Sequence, residues 1–172
     1  MPLRLETDLG RVQELGEKMR GENDRLRRFL KVRRHSDRTL RKLAERIETQ
    51  IDCRACANCC RVATAPVSER DVKRLASFLR RSVQDVVEQF TVDSEDEGRI
   101  LQRTDAAGCI FLDGNDCTIY DARPETCQRF PHLVRGNGSL VSRMWQFIDR
   151  AVYCPIVYNS LEAFKEAVGF KR

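Results

Sequence analysis

A chain of 172 residues, 41% hydrophobic and 33% charged, can bury one modest core with an appendage under a heavily ionised surface. Its net charge of +5 is unevenly spread: ten Lys or Arg lie between Arg25 and Arg46 against only Asp37 and Glu45. No window approaches the roughly 20 apolar residues of a membrane span, and Met1-Pro2-Leu3-Arg4-Leu5-Glu6 lacks a signal peptide's apolar run, so a cytoplasmic chain with reduced thiols and no membrane partner is expected.

In chain order, Leu5, Leu9, Val12, Leu15 and Met19 recur at spacings of three or four, predicting an amphipathic helix despite Gly10, Gly16 and Gly21. Arg25 to Arg34 continues with Leu26, Phe29, Leu30 and Val32 as its apolar positions. Ser36 then reads as an N-cap with Asp37 in the first turn, and Leu40, Leu43, Ala44, Ile47 and Ile51 form a cleaner stripe. Two further helices are announced by Ser68 with Asp71 and by Ser82 with Asp85, each pair spaced as a capping box with Asp in place of the usual Glu or Gln. The acidic stretch from Thr91 to Gly98 reads as a solvated loop.

From Arg99 the pattern becomes β-type, with short runs at 99–102 and 109–112 and turn residues Asp113-Gly114-Asn115-Asp116. Arg123-Pro124 opens a helical turn through Cys127 that Phe130-Pro131 ends. Residues 132–134 and 139–144, flanking Arg135-Gly136-Asn137-Gly138, predict a hairpin. A closing helix follows Cys154-Pro155 through Leu161, Phe164, Ala167 and Val168.

The chemistry resides in Cys53-Arg54-Ala55-Cys56-Ala57-Asn58-Cys59-Cys60, four thiols within eight residues, joined by Cys109, Cys117, Cys127 and Cys154. A thiolate is a soft, charged donor suited to zinc or iron, and two-residue spacings let successive sulfurs turn toward one centre. Cys53-x2-Cys56-x2-Cys59 matches the spacing by which ferredoxin-like loops present three thiolates to a cubane cluster, and Cys154-Pro155 has the local form of the remote cysteine that completes one. Cys60, beside Cys59, departs from that scheme and points to a second centre shared with some of the later cysteines. Two tetrahedral zinc sites would also consume eight thiolates, although zinc ribbons usually offer two separated Cys-x2-Cys knuckles. Adjacent thiols flanked by Arg54, Asn58 and Arg61 do not suit a hydrophobic core.

The cysteine cluster together with Cys109-Ile-Phe-Leu-Asp, the run from Cys117-Thr-Ile-Tyr-Asp-Ala-Arg-Pro-Glu-Thr-Cys127 to Pro131, and Cys154-Pro155 resembles the CxxCxxCC zinc- or iron-chelating family of YkgJ-type cysteine-cluster proteins. The resemblance runs from about Cys53 to Pro155 and implies chelation of iron or zinc by these cysteines. Flagellin lysine methylases are similar in their cysteine cluster, but this chain has no glycine-rich nucleotide loop, so methyl transfer is not carried over. Arg123, Pro124, Phe130 and Pro131 belong to the same motif. Arg123 is read as a cofactor-side residue whose guanidinium neutralises a thiolate-rich site, whereas the others bound and cover it.

The expected architecture is an α-rich α+β fold: a charged helical extension over residues 1–52, then a small cysteine-ligated metal-binding domain over 53–172. The expected function is to carry a [4Fe-4S]-type cluster, with room for a second metal centre, in electron transfer or in redox or metal maintenance of an unidentified protein partner. A zinc-stabilised module that recognises protein or RNA is the alternative. Arg27, Arg28, Lys31, Arg33 and Arg34 could meet phosphates, but Phe29 alone interleaves them, so nucleic acid is weakly supported. His35 and His132 read as an exposed and a hairpin residue, and no catalytic set is recognisable.

Overall fold

The structure, a computed structural model, describes residues 4–33 and 37–171. The expected N-cap Ser36, together with Arg34 and His35, lies outside the described residues. These contain nine α-helices and small two-stranded sheets, an α-rich α+β architecture. The chain divides into two compact units, Cys53–Phe130 and the pair of segments Met1–Asp52 with Pro131–Arg172. In this division residues 131–172 group with residues 1–52.

The discontinuous unit is a group of four helices, α1 (Leu9–Arg33), α2 (Asp37–Glu48), α8 (Met144–Arg150) and α9 (Pro155–Ala167). In α1 the buried seam is Val12, Gly16, Asn23, Leu26 and Leu30. The glycine expected to weaken this helix is where it is needed: a Cβ on Gly16 would lie 2.6 Å from the Ala151 carbonyl oxygen. In α2 the buried stripe is Leu40, Ala44 and Ile47. Phe147, Leu161 and Phe164 are fully buried; each such side chain contributes roughly 1.5–3 kcal/mol by leaving water.

Lys165, 1% exposed, lies between carboxylates on two helices, its Nζ 2.6 Å from Glu22 and 2.5 Å from Glu162. Among the described residues, 132–144 form no strand, so the expected hairpin is replaced by irregular chain. Its backbone groups are met by side chains of α2. Asp37 accepts the N–H groups of Leu140 (2.8 Å) and Val141 (3.1 Å), and Arg41 donates to the Val134 carbonyl (2.7 Å). With those groups satisfied, no cross-strand ladder is required.

The second unit holds α3 (Cys53–Cys56), α4 (Asn58–Val62), α5 (Glu69–Leu79), α6 (Val83–Phe90), β1 (Thr91–Ser94), β2 (Gly98–Leu101), β3 (Arg103–Thr104), β4 (Gly108–Cys109), β5 (Leu112–Asp113), β6 (Asp116–Cys117) and α7 (Glu125–Arg129). Both predicted capping boxes are present: the Ser68 hydroxyl accepts the Asp71 N–H, the Ser82 hydroxyl accepts the Asp85 N–H, and each carboxylate reaches back to its serine. The acidic stretch expected as a loop is a hairpin instead, with Thr91 opposite Leu101 and Ser94 opposite Gly98. Its buried anchors, Thr91, Ile100 and Leu101, decide this, while the acidic residues occupy its exposed end. Val67, Val72, Leu75, Ala76, Val86, Leu101, Phe111 and Ile119 form the core, and Cys109 and Cys117 pack against its edge.

Candidate metal centre

Two-stranded hairpins of two residues per strand do not hold themselves together in water, so the positions of Cys109 and Cys117 depend on what the hairpins pack against. Cys109 ends β4, opposite Arg103 in the register. The preceding Gly108 has φ +79°, and a Cβ there would lie 2.6 Å from both the Arg61 Cα and the Cys60 carbonyl oxygen. Only a residue without a side chain lets β4 approach α4 this closely. Cys117 ends β6 opposite Leu112, and the Thr118 N–H donates to the Phe111 carbonyl at 2.9 Å.

Cys53 and Cys56 bound the single turn of α3, Cys53 exposed and Cys56 half-buried. Ala57, buried and left-handed at φ 48°, breaks α3 from α4, where Cys59 and Cys60 sit as neighbours. Successive residues of a helix project about 100° apart, yet the Cys59 side chain stays within hydrogen-bond reach of the Cys60 sulfur. Cys127 lies within α7, whose entry is clamped from α5. Asp71 accepts the Glu125 N–H at 3.0 Å, and Arg74 donates to the Arg123 carbonyl at 2.5 Å.

Arginines stitch these segments together. Arg61 donates to the carbonyls of Cys56 (3.0 Å) and Gly114 (2.9 Å) and to the Asn115 side chain. Arg103 donates to the Arg61 carbonyl at 2.8 Å. Arg123 donates to the Tyr120 carbonyl at 2.8 Å and stacks on that ring, its Cζ 3.6 Å from the centroid, with Arg54 also 4.8 Å from it.

Cys60, Cys109, Cys117 and Cys127 lie within charge–charge reach of one another. Cys60 acts on the other three, and Cys109 and Cys117 act on Cys127. A hydrogen bond from Cys59 holds the Cys60 thiol down to about 7 against its burial, with help from Arg123 and Arg61. Burial first, then the charge of Cys60, pushes Cys109 and Cys117 up, and pushes Cys127 up to about 12, also against Cys109 and Cys117. Arg123 opposes these increases at Cys117 and Cys127, Arg103 at Cys109. Bringing four such thiolates together without a cation is costly, and a zinc or iron ion supplies the missing charge. The donor set therefore fits a chelated soft metal, although among the described residues no three Cys, His, Asp or Glu side chains already stand as a closed ligand set.

A family model described as "Putative zinc- or iron-chelating domain", CxxCxxCC, matches residues 52–155. The chain belongs to this family. It is accordingly a cysteine-ligated metal-binding protein whose metal is zinc or iron. Comparison with curated proteins finds no match, and comparison with solved structures finds none either.

Two of the remaining candidates, Cys154 and His132, lie outside the 53–130 unit. Cys154 is the buried N-cap residue of α9, in the four-helix unit of this CxxCxxCC protein. His132 is in that unit too, at φ 69°. Asp116 lies 3.6 Å from Arg54. The pattern of cysteines does not announce Arg61, Arg103, Asp71 or Arg74. The glycine immediately before Cys109 was the one available signal of a close backbone approach.

Proposed function

We propose that this CxxCxxCC protein carries an iron–sulfur cluster of the [4Fe-4S] type on cysteine thiolates, with a second metal centre alongside, in the service of electron transfer or of a partner protein's redox or metal state. The observation that carries the reading is the gathering of Cys60, Cys109, Cys117 and Cys127 from four separate segments, next to the Cys53-x2-Cys56-x2-Cys59 spacing. Seven thiols of the 53–130 unit supply ligands; Cys154 is a candidate through its Cys-Pro sequence alone. A bound cluster supplies one-electron chemistry at a potential set by hydrogen bonding and burial.

The chain's own contribution is positional and electrostatic. Asp71 and Arg74 hold α7, Gly108 lets β4 reach α4, and Arg61, Arg103 and Arg123 lower the cost of concentrating negative charge. A zinc-stabilised interaction module is the second reading, favoured by the short, weak elements that carry Cys109 and Cys117, which a structural zinc site would tie together. No described helix is long and apolar enough to cross a membrane.

Anaerobic purification with visible absorption and elemental analysis tests this. The expected protein is brown, oxygen-sensitive and contains iron with acid-labile sulfide. A colourless protein with stoichiometric zinc replaces the first reading by the second, and a protein that takes up neither metal ends both.

A further inference from the structure

Three guanidiniums converge on the irregular stretch 131–143 of the four-helix unit. Arg143 is the N-cap residue of α8 and Arg150 its last residue. Positions 143, 147 and 150 are spaced to share one helix face, and both guanidiniums lie over the fully buried Phe147 ring, 5.5 and 5.7 Å from its centroid. Arg143 Nε donates to the Ser139 carbonyl and Arg150 to that of Pro131, each at 3.4 Å. The third, Arg41, comes from α2 and donates to the carbonyls of Val134 (2.7 Å) and Gly136 (3.5 Å). All three side chains are half-buried.

Like charges gathered in this way repel one another. The Arg143 guanidinium is held below its ordinary value by burial first, then by the charges of Arg150 and Arg41; Asp37 opposes them. Asp37 is already engaged by the N–H groups of Leu140 and Val141. Among the described residues neither Arg41 nor Arg143 makes an ion pair, and the nearby Arg135 is matched with Glu48. Arg143 Nη2 is buried with no hydrogen-bond partner. The chain at Gly136 passes directly over it: a Cβ there would lie 2.9 Å from Nη2 and 3.0 Å from Nη1. A buried donor on a charged group is costly to leave unmet, so a ligand that brings an acceptor is favoured. Asn137, Gly138 and Ser139, which follow, are exposed, and solvent therefore reaches the edge of the cluster.

We propose that Arg41, Arg143 and Arg150 form a binding site for a tetrahedral phosphate, either the free ion or the monoester group of a larger molecule. Arg41 and Arg143 bring two positive charges that no ion pair matches among the described residues. A phosphate monoester carries about −1.5 to −2 at neutral pH and has three strong acceptor oxygens to share among the arginines. A carboxylate brings one charge and two oxygens in a plane, which suits a single guanidinium fork. The site uses no thiol, belongs to the unit of residues 1–52 and 131–172, and stands whether or not the iron–sulfur reading does.

The test is isothermal titration calorimetry of the full-length protein as isolated, with sodium phosphate, glycerol 2-phosphate and sodium acetate at ionic strength matched with chloride. Wild type should bind a phosphate saturably, one per chain, and acetate at least tenfold more weakly. Preference for inorganic phosphate assigns the site to the free ion, and preference for glycerol 2-phosphate assigns it to a phosphorylated ligand. Arg41→Gln and Arg143→Gln should each weaken binding at least about tenfold, the loss expected for one charge-assisted hydrogen bond. Replacing the exposed Arg25 and Arg28 of α1 by Gln should leave binding unchanged. The proposal is overturned if wild type binds neither phosphate saturably or binds acetate equally well. It is also overturned if Arg41→Gln and Arg143→Gln bind like wild type, which would put the anion elsewhere, on bound metal for instance. Phenylglyoxal modification of wild type, mapped by peptide mass spectrometry, decides the matter even where the variants fail to fold. Phosphate should shield Arg41 and Arg143 but not Arg25 or Arg28, and an unchanged pattern would sink the site.

Discussion

The carboxylate of Asp71 accepts the backbone N–H of Glu125 at 3.0 Å, joining the start of α5 to the helix that carries Cys127. The same side chain accepts the Ser68 N–H at 3.0 Å and hydroxyl at 2.7 Å, and pairs with Arg74 at 2.7 Å. A buried carboxylate with this many donors is satisfied; without it, several buried donors are left facing one another. Asp71→Ala should destabilise the protein by about 2–3 kcal/mol, through the lost cap and the orphaned donors. Denaturant unfolding measures this, and metal content should fall because α7 is no longer held. An Asp71→Ala protein as stable as wild type would remove the clamp from the account.

The same residue sets a pH dependence. Burial pushes the Asp71 carboxyl up, but the hydrogen bonds from Ser68 and Glu125 and the charge of Arg74 prevail and hold it below the ordinary value. Its contribution is therefore fully present above the unfolded aspartate pKa of roughly 4 and is lost as pH falls through the lower folded value. The stability gap between wild type and Asp71→Asn should be constant from neutral pH down to about 5 and narrow below about 4. Comparing the two proteins at each pH cancels any acid-induced metal loss they share. A gap that widens on acidification would reverse the assignment.

Gly108 and Gly114 both have positive φ, +79° and +59°, but only Gly108 faces backbone within 4 Å. Gly114→Ala should cost about 1–2 kcal/mol, from conformation alone. Gly108→Ala adds the collision with Cys60 and Arg61 and should cost about 2–4 kcal/mol, with a matching fall in metal content as Cys109 is displaced. Thermal unfolding and metal analysis of the two variants separate these effects. Equal losses would show that the close approach contributes nothing.

In the four-helix unit, the Lys165 ammonium joins Glu22 on α1 to Glu162 on α9. Lys165→Met removes the cation between two largely buried carboxylates and should cost about 3 kcal/mol. Adding Glu22→Gln and Glu162→Gln to the same protein should recover most of that loss, since the desolvated charges disappear together. Chemical denaturation of the single and triple variants is the measurement; a triple variant weaker than the single one would count against a charge origin.

Local chemistry was legible in the sequence. Ser68 with Asp71 and Ser82 with Asp85 announce their helices because a capping box is closed within four residues. Pro155 opens α9 for the same kind of reason. The cysteine spacing pointed to a thiolate-held metal, and the motifs from Cys53 to Pro155 resembled the chelating family whose model matches residues 52–155, since local motifs need no knowledge of the fold. The glycines of α1 were a misleading local signal: Gly16 weakens an isolated helix but makes room for the chain at Ala151.

What tertiary structure decided is whatever depends on partners far along the chain. Residues 132–144 have turn residues suited to a hairpin, yet Asp37 and Arg41, about a hundred positions earlier, take their backbone groups instead. Residues 91–98 look like a solvated loop by charge, yet pairing with the β-type run that holds the buried Ile100 and Leu101 makes Thr91–Ser94 a strand. Spacing alone could not tell which thiols meet, because Cys60 and Cys127 are brought within electrostatic reach by the core under the hairpins and by the Asp71 clamp. Periodicity and capping are properties of neighbouring residues, set by a few kcal/mol of local conformational energy; the grouping of thiols is a property of packing, and only the folded chain contains it.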